Sequence, residues 1–165
     1  MIGGPLNVLF LCTGNSARSI LAEAHLTSVG RGRFRAYSAG SHPTGKVNPV
    51  ALELLRRKEI PTDELRSKAW DEFAKPHAPQ MDFIITVCDS AAGEMCPVWP
   101  GKPVTAHWGV EDPAAVTGDD DAIRAAFMKA FGTLQKRVRL LTGLPLNSLD
   151  RAALEQHMKQ IGNER

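Results

Sequence analysis

The stretch from Leu6 to Glu23, LNVLFLCTGNSARSILAE, constrains the fold more than any other part of the chain. Val8, Leu9, Phe10 and Leu11 form a continuous β-prone apolar run, the pattern of a strand buried on both faces of a parallel sheet. The run ends at Cys12. Gly14 and Asn15, the residue types most tolerant of positive φ, come next, and a helix-compatible segment opens near Ser16. A loop that joins a strand to a helix start turns successive N–H groups toward one centre, where the helix dipole adds partial positive charge. Thr13, Gly14, Asn15, Ser16, Ala17, Arg18 and Ser19 are therefore expected to form a cup for a tetrahedral oxyanion. Cys12 enters that cup and Arg18 leaves it. A sulfur held among amides and a guanidinium is favoured as thiolate, which makes Cys12 a candidate nucleophile.

A chain of 165 residues fits a single domain over 1–165, with one sizeable core. The net charge of +2 and the lack of a basic run argue against nucleic acid and against a charged membrane surface as partners. No apolar stretch approaches the ~18 residues of a membrane span, and residues 1–6 lack the basic start and apolar core of an export signal. The expected location is cytoplasmic. Three cysteines, an odd number, disfavour a structural disulfide framework there and leave reactive or buried thiols.

Along the chain, strands alternate with helices. After the first helix, to about Gly30, a short strand is expected from Arg33 to Ser38, and Ala39 and Gly40 open a loop. Asn48 suits a helix N-cap and Pro49 the first helical position, for a helix to about Lys58. Pro61 breaks that pattern and a second short helix is expected from Ser67 to Ala74. Phe83 to Val87 repeats the apolar run of the first strand and ends at Cys88, and a brief strand follows from Pro103 to Ala106. From Asp119 to Thr142, Ile123, Phe127, Phe131, Leu134, Val138 and Leu141 recur at steps of three and four, the mark of a long amphipathic helix. Gly143 and Pro145 stop it, and Asn147 is expected to cap a last helix over about 148–161. This alternation implies a parallel sheet wrapped by helices, with active residues beyond the carboxyl ends of its strands.

If the strands ending at Cys12 and Cys88 are neighbours, the two sulfurs start from backbones about 5 Å apart, near the range of a disulfide. Cys96 lies eight positions past Cys88, about 12 Å along a regular helix, so a bridge between those two requires the segment to unwind. Asp112 precedes Pro113 in a loop, where an Asp commonly only begins a turn; a carboxylic acid there can also reach the leaving oxygen of a bound oxyanion. His107 and Trp108 are expected to make a structural hydrogen bond and to close the core. Neither His42, His77 and His157 nor the Cys88 to Cys96 spacing matches a zinc motif.

Taken together, Cys12 to Ser19, Tyr37 to Gly40 with Asn48 and Pro49, Thr86 to Asp89 leading to Cys96 and Pro97, and His107 to Ala114 give a resemblance. The chain resembles arsenate reductases built on the low-molecular-weight protein tyrosine phosphatase fold, over most of its length to about Leu141. The resemblance implies an α/β fold in three layers: a four-stranded parallel sheet in order 2-1-3-4 with helices on both faces. It implies Cys12 as nucleophile, Arg18 and the loop backbone as oxyanion binders, Asn15 and Ser19 as supports of the thiolate, and Asp112 as general acid. It implies a thiol relay in which Cys88 attacks Cys12, expels arsenite and leaves a Cys12–Cys88 disulfide, and Cys96 then carries the oxidised pair outward. No bound cofactor is implied. The reductant is an external thiol, thioredoxin or glutathione with glutaredoxin, and phosphate or sulfate would act as substrate analogues. Some members hold a potassium ion at positions matched by Asn15, Glu23 and Ser38, but Ala69 stands where they place an acid, so no metal is expected.

Two other readings compete. A tyrosine phosphatase would use Cys12, Arg18 and Asp112 and leave Cys88 and Cys96 without a task; such enzymes usually carry an aromatic residue after Asp-Pro, where this chain has Ala114 and Ala115. A non-catalytic oxyanion-binding or redox-sensing module would use the cup alone.

Overall fold

The computed structural model of the chain describes residues 5–88 and 99–164. Cys96 and Asp89 lie outside them. Four parallel strands, β1 (Leu6–Cys12), β2 (Phe34–Gly40), β3 (Phe83–Thr86) and β4 (Val104–His107), form one sheet in the order β2-β1-β3-β4. β1 is central, pairing Cys12 with Gly40 of β2 and Leu11 with Thr86 of β3. This is the order expected from the resemblance.

The double apolar run of β1 is explained by its two neighbouring layers. Val8, Phe10 and Cys12 face the larger core, which takes side chains from α1 (Arg18–Val29), α2 (Pro49–Arg57), α3 (Asp120–Thr142) and α4 (Arg151–Asn163). Leu9 and Leu11 face a smaller cluster with Ala39, Trp70, Phe73, Met81 and Ile84. That second face is covered in part by a 3₁₀ turn, Trp70–Phe73, and by Trp99, whose ring meets Trp70 edge to face at 6.5 Å. Trp108 is fully buried, tilts against Phe10 and donates its indole N–H to the Met158 carbonyl, joining the sheet to α4. It closes the core, as expected.

Helix ends follow local chemistry. Asn48 accepts the amides of Val50 and Ala51 with Pro49 in the first turn, and Asp119 accepts the amide of Ala122 to start α3. Three expectations need correction. Ala39 and Gly40 do not open a loop: they continue β2, paired with Leu11 and Cys12 of β1. Residues Ser67 to Ala69 are not helical: Ala69 bridges to Gly40 as an extra strip beside β2, and the 3₁₀ turn begins only at Trp70. Asn147 does not cap the last helix. It lies in a short 3₁₀ turn, Leu146–Ser148, and Asp150 is the cap, accepting the amide of Ala153. A carboxylate aimed at free amides is the stronger N-cap there, so the chain spends one more turn before α4 begins.

Candidate active site

The strand-to-helix loop after β1 is held open from outside. The carbonyls of Thr13, Gly14 and Ser16 accept hydrogen bonds from the amides of His42, Thr44 and Asn48, and Ser67 Oγ also donates to Gly14. In a trans peptide the C=O and the following N–H point opposite ways, and the structure has no cis bond among its described residues. Anchoring three carbonyls outward therefore turns the amides of Gly14, Asn15 and Ala17 toward the interior of the loop. Gly40 makes this packing possible, since a Cβ there would press into the carbonyl oxygens of Thr13 and Cys12 and the amide of Asn15.

Asn15 adopts the left-handed conformation (φ +46°), completely buried. Its side chain clamps the loop: Nδ2 donates to Ser19 Oγ at 2.8 Å and Ser38 Oγ at 2.9 Å, and Oδ1 accepts the Lys68 amide at 2.9 Å. Ser19 Oγ stands 2.8 Å from Cys12 Sγ. A thiolate can only accept, so with Cys12 ionised the Ser19 hydroxyl donates to it. The sulfur is buried at the floor of the cup.

At the lip, Arg18 donates from Nη1 to the Val110 carbonyl at 3.0 Å, and its Nη2 lies 3.6 Å from Asp112 Oδ2. Asp112 uses its other oxygen to accept the Ala114 amide, so it starts a turn before Pro113 and also faces the cup. Its side chain is 41% exposed, which limits what the ion pair with Arg18 adds to stability to about 1 kcal/mol or less.

Cys88 follows β3, and Val87 still pairs with Leu11, its amide donating to the Leu11 carbonyl at 2.8 Å. This register places Cys88 beside Thr13, whose amide donates to Cys88 Sγ at 3.3 Å. The buried Cys88 sulfur thus rests against the residue that follows Cys12. His107 Nδ1 is 2.7 Å from Thr86 Oγ1, a structural contact between neighbouring strands, as expected.

Behind the loop lies a buried charged cluster only partly visible in the sequence. Ser38 Oγ donates to Glu23 Oε1 at 2.5 Å, and Lys68 Nζ is 3.9 Å from the same oxygen; the two charged side chains are 13% and 7% exposed. Burial, the largest influence, pushes the Glu23 carboxyl up despite Lys68 and Ser38, and burial draws the Lys68 ammonium down despite Glu23. Lys68 went unrecognised because nothing in its local pattern distinguishes it from an exposed lysine. The potassium ion of the resemblance does not fit these residues, because Lys68 Nζ already reaches both Ser38 and Glu23. A metal ion would have to sit against an ammonium.

The sheet order and the amide loop beside a cysteine define an α/β protein of the phosphatase-loop class. Its sequence matches the family profile described as "Low molecular weight phosphotyrosine protein phosphatase" over residues 7–157, and the chain belongs to that family. An arsenate reductase of Halalkalibacterium halodurans is 34% identical over 80% of this chain and 91% of its own length, and one of Bacillus subtilis is 31% identical over the same shares. Among solved structures, an arsenate reductase from Archaeoglobus fulgidus superposes with a TM-score of 0.59 at 27% identity, covering 80% of this chain and 98% of the other. A thioredoxin-dependent arsenate reductase of Corynebacterium glutamicum gives 0.58 at 25% identity; it covers 86% of this chain, which spans 65% of that protein's length. A tyrosine phosphatase of Erwinia amylovora has the same fold, with a TM-score of 0.64 at 19% identity over 84% of this chain and 93% of the other.

Proposed function

We propose that this chain is a cytoplasmic arsenate reductase working through a relay of thiols. The observation that carries the reading is the hydrogen bond from the Thr13 amide to Cys88 Sγ, which holds a second buried sulfur against the residue that follows Cys12. Hydrolysis of a phosphate ester needs no such group.

In the proposed reaction, arsenate sits in the cup with its oxygens on the inward amides and on Arg18, and Cys12 thiolate attacks arsenic. Asp112 protonates the departing hydroxide, which leaves as water, and a Cys12–arsenic bond forms. Cys88 thiolate then attacks Cys12 sulfur. The sulfur–arsenic bond breaks, its electron pair passes to arsenic, and arsenite leaves as Cys12 and Cys88 become a disulfide. Cys96, outside the described residues, would attack Cys88, free Cys12 thiolate and present a Cys88–Cys96 disulfide to an external dithiol. Thioredoxin is the favoured reductant, with glutathione and glutaredoxin as the alternative. Two electrons from that reductant balance the change from arsenate to arsenite.

Ala114 and Ala115 after Pro113 supply no ring to stack on a phenol, which weighs against an aryl phosphatase. The test is arsenate-dependent oxidation of NADPH through thioredoxin and its reductase, with a glutaredoxin arm beside it. Turnover in either arm, lost in Cys12→Ser and Cys88→Ser, is the expected result. Hydrolysis of p-nitrophenyl phosphate without reductant, in the absence of arsenate turnover, would make the chain a phosphatase instead.

A further inference from the structure

We infer that Lys68 is a built-in cation of the active site: its ammonium sets a positive charge against Glu23 and fixes the direction of the hydrogen bonds ending on Cys12. The inference rests on Cys12 being the reacting sulfur of the proposed function, and it makes the protein indifferent to potassium.

The chain of contacts has a defined polarity. Lys68 lies over Glu23, and Ser38 spends its single hydroxyl proton on Glu23 Oε1. Ser38 Oγ can then only accept from Asn15, and it does so from Nδ2. The second Nδ2 proton goes to Ser19 Oγ, which leaves the Ser19 hydroxyl proton for Cys12 Sγ. Lys68 acts twice on this line. Its backbone amide donates to Asn15 Oδ1, fixing which side of the carboxamide is oxygen, and its Nζ reaches Ser38 Oγ at 3.5 Å. The ammonium is itself anchored by donating to the Arg66 carbonyl at 2.8 Å.

The charge matters because Glu23 is buried. Burial already pushes the Glu23 carboxyl up against the pull of Lys68; removing the ammonium moves it further toward the neutral form, which can donate toward Ser38 and removes the reason for Ser38 to point away from Asn15. Arg66 and Glu64 also act on Glu23, and Arg66 is already bound by a two-pronged contact to Glu72, so among the described residues Lys68 is the cation that pairs with the carboxylate. It touches no substrate. Lys68 is a positioning residue.

The test reads the Cys12 sulfur directly. Carboxymethylation of the Cys12 peptide by iodoacetate, followed by mass spectrometry across a pH series, is compared in potassium, methylammonium and choline chlorides of equal ionic strength; arsenate turnover is measured in parallel. Wild-type protein should differ by less than about twofold between potassium and choline. Lys68→Ala should react about tenfold more slowly in choline at neutral pH, with its profile moved to higher pH, and should regain most of that rate in potassium or methylammonium. Lys68→Met, which keeps the length and loses the charge, should show the same loss. Clear potassium stimulation of the wild type, an unimpaired Lys68→Met, or a loss in Lys68→Ala that no cation restores would each overturn the inference. Wild-type protein whose Cys12 behaves as stated but which leaves arsenate intact would sink the reductase and keep Lys68 in its place.

Discussion

Thr13 and Cys88 are joined by a hydrogen bond from the first amide of the loop to the sulfur at the end of the neighbouring strand, at 3.3 Å. That amide directly follows Cys12, so the second sulfur lies beside the residue next to the first. Cys88→Ser is therefore expected to abolish steady-state arsenate turnover, since a hydroxyl cannot attack the Cys12 sulfur and form the disulfide whose two electrons reduce arsenic. Phosphate binding, read as a rise in melting temperature, should survive the substitution. Loss of both together would mean that Cys88 only props the loop.

Asp112 faces Arg18 across the mouth at 3.6 Å and is well exposed. Asp112→Asn should lower kcat by about a hundredfold or more, the usual worth of a placed general acid. It should leave affinity for phosphate unchanged or improved, because it removes a negative charge from beside the anion, and leave the melting temperature within the scatter of surface substitutions. Single-turnover kinetics and isothermal titration check the two halves. An Asp112→Asn protein with undiminished kcat would reduce Asp112 to a turn residue.

Gly40 lies where β2 passes under the loop. Gly40→Ala pushes a methyl group into the carbonyls of Thr13 and Cys12, so the loop must move or the strand must bend. The expected cost is about 1–3 kcal/mol in urea unfolding, together with a loss of the stabilisation that phosphate or sulfate confers on the wild type.

His25, on the buried side of α1, packs its ring edge-on to Phe131 at 5.3 Å, and its Nδ1 finds no hydrogen-bond partner among the described residues. Burial above all, then Arg139 and Lys58, holds its proton affinity below the ordinary histidine value of 6.5. The unfolded chain then binds a proton that the folded chain refuses. Stability is complete above the ordinary value and falls as pH drops from about 6.5 toward the depressed native value. His25→Leu should flatten that part of the stability curve, measured as the urea midpoint between neutral and mildly acidic pH; an unchanged slope would assign the acid sensitivity elsewhere.

Much of the site could be read from local pattern. The apolar run before Cys12, Gly14 and Asn15 in the loop, and Asn48 with Pro49 act within a turn of themselves, so spacing was enough to place them. Glu23 was as consistent with a solvated helix face as with the buried place it holds. Ser67 to Ala69 looked helical in isolation, yet the strip is taken over by the bridge to Gly40 and by the Ser67 contact with Gly14. Asn147 and Asp150 are both good capping residues a few positions apart, and it is Asp150 whose carboxylate accepts the Ala153 amide, while Asn147 lies in a 3₁₀ turn.

By itself, then, the sequence determined a strand, an amide loop and a helix with Cys12 and Arg18 at the two ends, in a parallel sheet wrapped by helices, because backbone preference and hydrophobic period are local quantities; the strand order 2-1-3-4 came only from the resemblance. Only the tertiary structure decided that Cys88 meets Thr13 and that Lys68 turns inward to Glu23. Those choices depend on which distant strands pair and on which buried charges must be neutralised, and neither is written in the spacing of neighbours along the chain.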